Sequence, residues 1–399
     1  MLPQNSQSEG PPSVLHVSQP VDGGVARVVA DLVRAQVAAG LRVVVAAPPG
    51  GALQRDARAA GAEVADWHAG RSPGPALAAE TRRLARLIRR TAPDLVHAHS
   101  AKAGLAARLA VRGRIPTVHQ PHAWSFEAVG GPTARLALGW ERYAARWSQR
   151  VLCVSEAERA RGVAAGVAAR WAVIRNGVDL ERFSPAAPDA SGDVAARRRL
   201  RAALAGPGEL PPEGPLVVCV GRLCPQKGQL TLLRAWQDVA AAAPGARLAL
   251  VGDGPDEQHL RAAAPPGVHF AGATPDPASW YRAADVVVLP SRWEGMALAP
   301  LEAMACGRPV VVTDVSGARE SLPPGTESGC LVPPDDPAAL ARALCGLLIH
   351  PQLRTSLGQQ GLAHVRTTHD VRQTAAAVLD LYRELLGQPC PEIREQSRR

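Results

Sequence analysis

Residues 285–320, DVVVLPSRWEGMALAPLEAMACGRPVVVTDVSGARE, constrain the fold of this chain more than any other stretch. The apolar β-branched run Val286–Leu289 is long enough for a strand buried on both faces, as in parallel sheets. Pro290 and Ser291 end it, and a loop with Glu294 follows. A helical pattern then covers 300–305. Pro300 fits there only in a first turn, where its missing N–H costs nothing. Gly307 suits the residue just past a helix end, and Val310–Thr313 reads as a second buried strand. The stretch is a strand–helix–strand unit with a glutamate on each side of the helix start.

Glu294 and Glu302 lie eight positions apart. The first sits where open α/β sheets bind ligands, at the carboxyl end of a strand. The second lies in the opening turns of the helix. That helix start offers free N–H groups and a positive dipole end to a phosphate. A carboxylate beside it can accept hydrogen bonds from vicinal hydroxyls, so the pair suits a ligand with both phosphate and sugar. On spacing alone, two surface glutamates favoured by the dipole explain the pattern too.

Strand and helix patterns alternate along the rest of the chain. Apolar runs at 14–18, 41–47, 94–99, 115–119 and 151–155 read as strands of a first sheet. Runs at 216–220, 247–251 and 268–270 join the opening stretch in a second. Helical periods cover 25–39, 77–90, 229–242, 335–348 and 371–386. At 399 residues the chain has the bulk for two domains. The expected division is a disordered start at 1–12, an N-terminal domain at 13–183, and a linker with a short helix at 184–215. A C-terminal domain at 216–370, a helix at 371–386 crossing back to the first domain, and a disordered tail at 387–399 complete it. Seven scattered cysteines without a C-x-x-C pair suit a reduced compartment and give no zinc motif. The start MLPQNSQSEGPPS has no secretory pattern, and no apolar run reaches the roughly 18 residues of a membrane span. A cytoplasmic protein is expected.

Charge is uneven. Fourteen lysines and arginines between Arg71 and Arg150 face only four acids, Glu80, Asp94, Glu127 and Glu141. That field suits anionic lipid, a polyanionic acceptor or nucleic acid; in a chain with 43 arginines and only two lysines, a solvated arginine surface is the plain alternative. Trp140, Tyr143 and Trp147 recur at helical spacing among Arg135, Arg142 and Arg146. An interfacial helix would look like this, but core packing is the expected reading. His97, His99, His119 and His122 cluster near strand ends without a carboxylate or cysteine at metal-ligand spacing. Lys102 is expected in a loop, where it would meet an anionic acceptor or solvent. Gly23 and Gly24, between a strand and a helix, let backbone approach a ligand, though the full dinucleotide fingerprint is missing. Gly221-Arg222-Leu223 and Lys227-Gly228 stand at a strand-to-helix turn, where arginine can grip a diphosphate in bidentate fashion and lysine as a point charge.

The run from Glu294 to Val311, E-G-x6-E-A-M-A-C-G-x-P-V-V, resembles the signature of glycosyltransferase family 4. G-R-L-x-x-x-K-G at 221–228, N-G-V-D at 176–179 and P-H-A-W at 121–124 extend the resemblance over nearly the whole chain. It implies the GT-B fold, an α/β architecture of two Rossmann-like, doubly wound parallel-sheet domains facing each other across a cleft. By resemblance, Glu302 binds the donor ribose, and Glu294, Gly295, Met296, Ala297 and Leu298 border the donor sugar. Arg222 and Lys227 hold the pyrophosphate, Gly23 and Gly24 lie against donor phosphate, and His122 approaches sugar and acceptor. Lys102, His119 and Trp124 are acceptor-side candidates. The implied activity is retaining transfer, of hexosyltransferase type, from a nucleotide-sugar (UDP or GDP). The acceptor is a saccharide, glycolipid or polyprenyl-linked molecule in bacterial cell-surface polysaccharide synthesis. No metal or cofactor and no nucleic acid partner are expected, and the basic first domain suggests a peripheral place on an anionic membrane surface, at the inner membrane face. The alternatives are a nucleotide-sugar epimerase of the same fold and a non-catalytic protein that binds membranes or polyanions. Three departures from the family pattern, Ala297 for a glycine, Ser316 in the later glycine pair and Gln226 for an acid, bear on donor identity.

Overall fold

The computed structural model describes residues 11–186, 192–204 and 213–387. The expected disorder at 1–12 and in the tail falls almost wholly outside these residues, as does part of 184–215, where the described piece is a helix, Gly192–Leu204.

Two parallel sheets carry the chain. The first contains β1 (Ser13–Ser18), β2 (Arg42–Ala47), β3 (Glu63–Asp66), β4 (Leu95–His99), β5 (Thr117–Gln120), β6 (Arg150–Cys153) and β7 (Trp171–Val173). The second contains β8 (Leu216–Val220), β9 (Arg247–Val251), β10 (Val268–Gly272), β11 (Val286–Leu289), β12 (Val310–Thr313) and β13 (Leu331–Val332). Their orders are β3-β2-β1-β4-β5-β6-β7 and β10-β9-β8-β11-β12-β13. The central strands β1, β4 and β11 are buried along their whole length; β11 is wholly apolar, whereas β1 and β4 also bury Ser13, His16, Ser18, His97 and His99.

Each sheet reverses its strand order once, between β1 and β4 in the first and between β8 and β11 in the second. Open α/β sheets bind ligands in the crevice at such a reversal, beyond the carboxyl ends of the strands. β1 feeds the Gly23–Ala38 helix, β4 ends at His99, β8 ends at the arginine turn, and β11 leads to Glu294.

The two lobes meet along these edges. A Cβ on Gly295 would stand 2.7 Å from the carbonyl oxygen of His122 and 2.9 Å from Val154 Cγ2, so the second lobe's loop lies flush on the first. Ser155 Oγ donates to the Gly295 carbonyl at 3.2 Å, and Asn176 Nδ2 donates to the Met296 carbonyl at 2.7 Å. The Glu320 carboxylate accepts from the backbone N–H groups of Glu156 and Ala157 at 3.1 and 2.9 Å. Val178 bridges Asp370, and from there the Val371–Leu386 helix returns to pack on the Gly23–Ala38 helix.

Two local expectations are corrected here. The segment after β4 is no loop: Ser100–Val111 is a helix from its first residue. The aromatic stripe is not core. Of the Gly131–Ala144 helix only Glu141 and Ala144 are buried, while Leu136 is 75% and Tyr143 49% exposed. A polar pair sets its inward face, because Glu141 reaches buried Arg108 Nη2 at 2.8 Å. The rings of Trp140, Tyr143 and Trp147 pack on one another instead, and Arg146 lies 3.5 Å over Tyr143.

Candidate active site

The second lobe's edge is built by glycines that let three loops touch. Gly228 has φ +65°, and a Cβ there would stand 2.0 Å from the Pro290 carbonyl oxygen. This close approach carries Lys227 to Glu294: Nζ pairs with Oε1 at 2.5 Å, and Ser291 Oγ donates to the same oxygen at 2.7 Å. The Lys227 stem packs over Gly221, so lysine and Arg222 stand on one turn. Beneath it, Leu223 N donates to the Asp253 carbonyl at 2.7 Å, which locks the turn to the loop after β9. The Arg222 side chain is exposed and has no partner among the described residues.

The departures from the family pattern have local explanations. Gln226 Nε2 donates to the Trp293 carbonyl at 3.0 Å, and its own carbonyl accepts from Arg292 N at 2.8 Å. Glutamine therefore fastens the lysine turn to the glutamate loop. Of the pair Ser316-Gly317, the retained glycine is the one the backbone needs. It has φ +74°, and a Cβ would meet Gly295 O at 2.0 Å. Ala297 sits in ordinary extended backbone at φ −71°, where a methyl group is not strained.

The Leu298–Ala305 helix starts beyond Ala297 without a side-chain cap, and Met296 and Leu298 are buried beside the start. Its first N–H groups are thus left for another acceptor. One turn on, buried Glu302 accepts from Tyr281 Oη at 2.9 Å and is paired with Arg27 of the first lobe. Burial, followed by the Glu302 charge, pushes the Tyr281 phenol well up, so it stays a donor. Gly24, one turn before Arg27, lies against Leu298: a Cβ on it would be 4.0 Å from Leu298 Cδ1. Gly23 opens the same helix at φ +80°.

On the first lobe, His122 stands at φ +60°, a backbone that few residues other than glycine adopt, and its side chain is half-buried. Its Nε2 lies 3.2 Å from His99 Nδ1. Burial pushes the imidazole down to about 3, so it is neutral at physiological pH.

The structure thus gathers Gly23, Gly24, His122, Arg222, Lys227, Glu294 to Leu298 and Glu302 along the two facing edges. It does not gather the acceptor-side candidates. Lys102 is buried, its Nζ held by Glu80 at 2.6 Å and by the Ser72 carbonyl at 3.0 Å. His119 is fully buried in β5 against Gly104. Trp124 is buried, donates to the Glu158 carbonyl at 2.8 Å and stacks on Phe126. Each is consumed by packing within the first lobe, and none offers its side chain to an acceptor. Conversely, Arg27, Tyr281 and Ser291 belong to the site although sequence patterns do not single them out. Only Arg27 left a trace in the sequence, one helical turn after Gly23.

Two family profiles match the chain, Glycosyltransferase Family 4 over residues 22–182 and Glycosyl transferases group 1 over residues 214–350. The D-inositol 3-phosphate glycosyltransferase 2 of Catenulispora acidiphila is 34% identical over 320 residues, 72% of this chain and 70% of that protein. A Corynebacterium glutamicum protein, GDP-mannose-dependent monoacylated alpha-(1-6)-phosphatidylinositol monomannoside mannosyltransferase, is 36% identical over 202 residues, 48% of this chain and 50% of that one. The crystal structure of Anabaena HepE in complex with UDP and glucose superposes with a TM-score of 0.78 at 22% identity, covering 93% of this chain and 99% of that one.

Proposed function

Because this chain belongs to glycosyltransferase family 4, and is therefore a glycosyltransferase, we propose that it is a retaining enzyme that takes its sugar from a nucleoside-diphosphate donor. The observation that carries this reading is the second lobe's edge. There Arg222, Lys227, Glu294 and an uncapped helix start come from separate stretches and are locked together by glycine contacts.

Cleaving an anomeric C–O bond to a diphosphate builds negative charge on the leaving oxygens. Arg222, Lys227 and the N–H groups of the Leu298–Ala305 helix would stabilise that charge from fixed positions, so the reaction needs no metal ion. Lys227 and Arg27 are engaged with Glu294 and Glu302. Donor binding would exchange these partners: Lys227 turns to the diphosphate, and Glu302 accepts from ribose hydroxyls. Glu294, freed of its cation and still held by Ser291, then borders the sugar. The seam at Gly295 and His122 excludes water from the reacting centre.

The acceptor reading is a saccharide or lipid-linked saccharide approached from the first lobe, in cell-surface glycan synthesis. The Gly131–Ala144 helix supports a peripheral place on an anionic membrane, since Leu136 and Tyr143 are exposed beside Arg135, Arg142 and Arg146. Among the described residues no helix is long and apolar enough to cross a membrane.

The test is a binding screen of UDP-, GDP-, ADP- and dTDP-sugars, followed by turnover with the best donor and NMR of the product's anomeric centre. Tight binding of one donor and a product of unchanged anomeric configuration are expected. An inverted product contradicts retention. Donor consumption without an acceptor would favour an epimerase.

A further inference from the structure

We propose that a one-way chain of hydrogen bonds from His122 through His99 and His16 to Gln36 fixes the proton of His122 on Nε2. This leaves His122 Nδ1 as an acceptor for a sugar hydroxyl. The second half rests on the transferase reading above; the chain itself does not.

The groups are buried on one face of the first sheet. His16 on β1 pairs in register with His97 on β4, and His99 lies two residues on, hence on the same face. Gln36 comes from the Gly23–Ala38 helix and Tyr382 from the returning Val371–Leu386 helix. The contacts are His122 Nε2 to His99 Nδ1 at 3.2 Å, His99 Nε2 to His16 Nδ1 at 2.9 Å, and His16 Nε2 to Gln36 Oε1 at 2.7 Å.

A neutral imidazole carries one proton, so each contact dictates the next. Gln36 Oε1 can only accept, which puts the His16 proton on Nε2 and leaves its Nδ1 bare. His99 must then donate from Nε2, and its bare Nδ1 accepts from His122 Nε2. Burial keeps all three rings neutral: His16 is pushed down to about 4 and His99 well below its usual value. His122 Nδ1 is left without a partner among the described residues, on a half-buried side chain at the interlobe seam.

Turning the Gln36 amide round would reverse every donor, and a side branch through Tyr382 and His97 would turn with it. As placed, Gln36 Nε2 donates to Tyr382 Oη at 3.4 Å, which donates to His97 Nδ1 at 2.6 Å. His97 then bears its proton on Nε2, a buried atom that, like Gln120 Oε1, has no hydrogen-bond partner among the described residues. With the amide reversed, the single Tyr382 proton would go to Gln36 Oε1 and His97 would have to carry its own proton on Nδ1, so the two arrangements differ in the tautomer of every ring. The rival occupant is a metal ion, because ligand atoms of His16, His97 and His99 lie within 4.8 Å of one another. A metal would need both nitrogens of the His16–His99 contact bare, whereas 2.9 Å is the spacing of a shared proton.

Long-range 1H–15N spectra of the full chain labelled with 15N-histidine test this, with His122→Asn identifying the resonance, alongside metal analysis of the same sample. A His122 ring protonated on Nε2 in metal-free protein is expected. Gln36→Glu, which still only accepts, should keep that signature. Gln36→Leu should let His122 sample both tautomers and lower kcat about tenfold, the worth of one hydrogen bond, with nucleoside-diphosphate affinity unchanged. A proton on His122 Nδ1 in the wild type, or one bound metal per chain, overturns the proposal. The wild-type spectrum needs no turnover, so it stands apart from any failure of the transferase reading.

Discussion

The two edges that face each other across the seam are made in different ways. The second lobe's edge uses charged side chains on short turns that glycines bring against one another, as Gly228 does against Pro290. Lys227 and Gly228 are adjacent, and Ser291 and Glu294 lie three apart. The first lobe's edge uses buried neutral groups brought together over long distances: His16 to His99 spans 83 positions and His97 to Tyr382 spans 285. One edge is suited to hold charge, the other to orient hydroxyls. Only the first kind leaves a compact signature in a sequence.

The sharpest way to break this contrast is Lys227→Ala. Loss of a fixed cation at a developing anion should lower turnover per folded molecule about a hundredfold or more. Unaltered turnover would remove Lys227 from the site. Lys102→Met should do the reverse on the first lobe. It leaves buried Glu80 without its cation, so it should cost about 3 kcal/mol of stability in denaturant titration and leave turnover per folded molecule intact. A selective loss of acceptor affinity would restore Lys102 to the site. Glu302→Ala should weaken nucleoside-diphosphate binding by about 1–3 kcal/mol, read by calorimetric titration. Equal affinity would sink the ribose role.

The smallest expected effect belongs to a buried acid of the first lobe. Burial, against the backbone N–H of Val154, pushes Glu158 up from 4.5 to about 8. Between those values the folded state holds a proton that the unfolded state has lost, so this group makes stability fall as pH rises through that window. Glu158→Gln should therefore be more stable than the wild type at pH 8, by on the order of 1–2 kcal/mol, with the gap closing toward pH 5. A gap that widens toward pH 5 would mean that Glu158 is ionised in the fold.

The same contrast explains what could be read from the chain. Glu294, Glu302, Arg222 and Lys227 were legible because strand ends, a first-turn proline and glycine turns fix their place locally. The doubly wound sheets were legible because their buried strands are short, largely apolar runs that alternate with helical periods. Arg27 was not, since its partner Glu302 lies 275 positions away and the helix spacing alone names no partner. His16 is one of three polar residues in β1, and only the β1–β4 register reveals its neighbours. Lys102 and the aromatic stripe misled for a shared reason. Ion pairs carry charged side chains onto the inward sides of those helices, Lys102 to Glu80 beside buried Ala103, Ala106 and Ala107, and Glu141 to Arg108.

The most direct test of the central claim is a crystal structure with a nucleoside diphosphate bound. The account predicts phosphate oxygens within about 3 Å of Arg222 and Lys227, with Lys227 withdrawn from Glu294 and the ribose on Glu302. A diphosphate held elsewhere, with the Lys227–Glu294 pair intact, would contradict it.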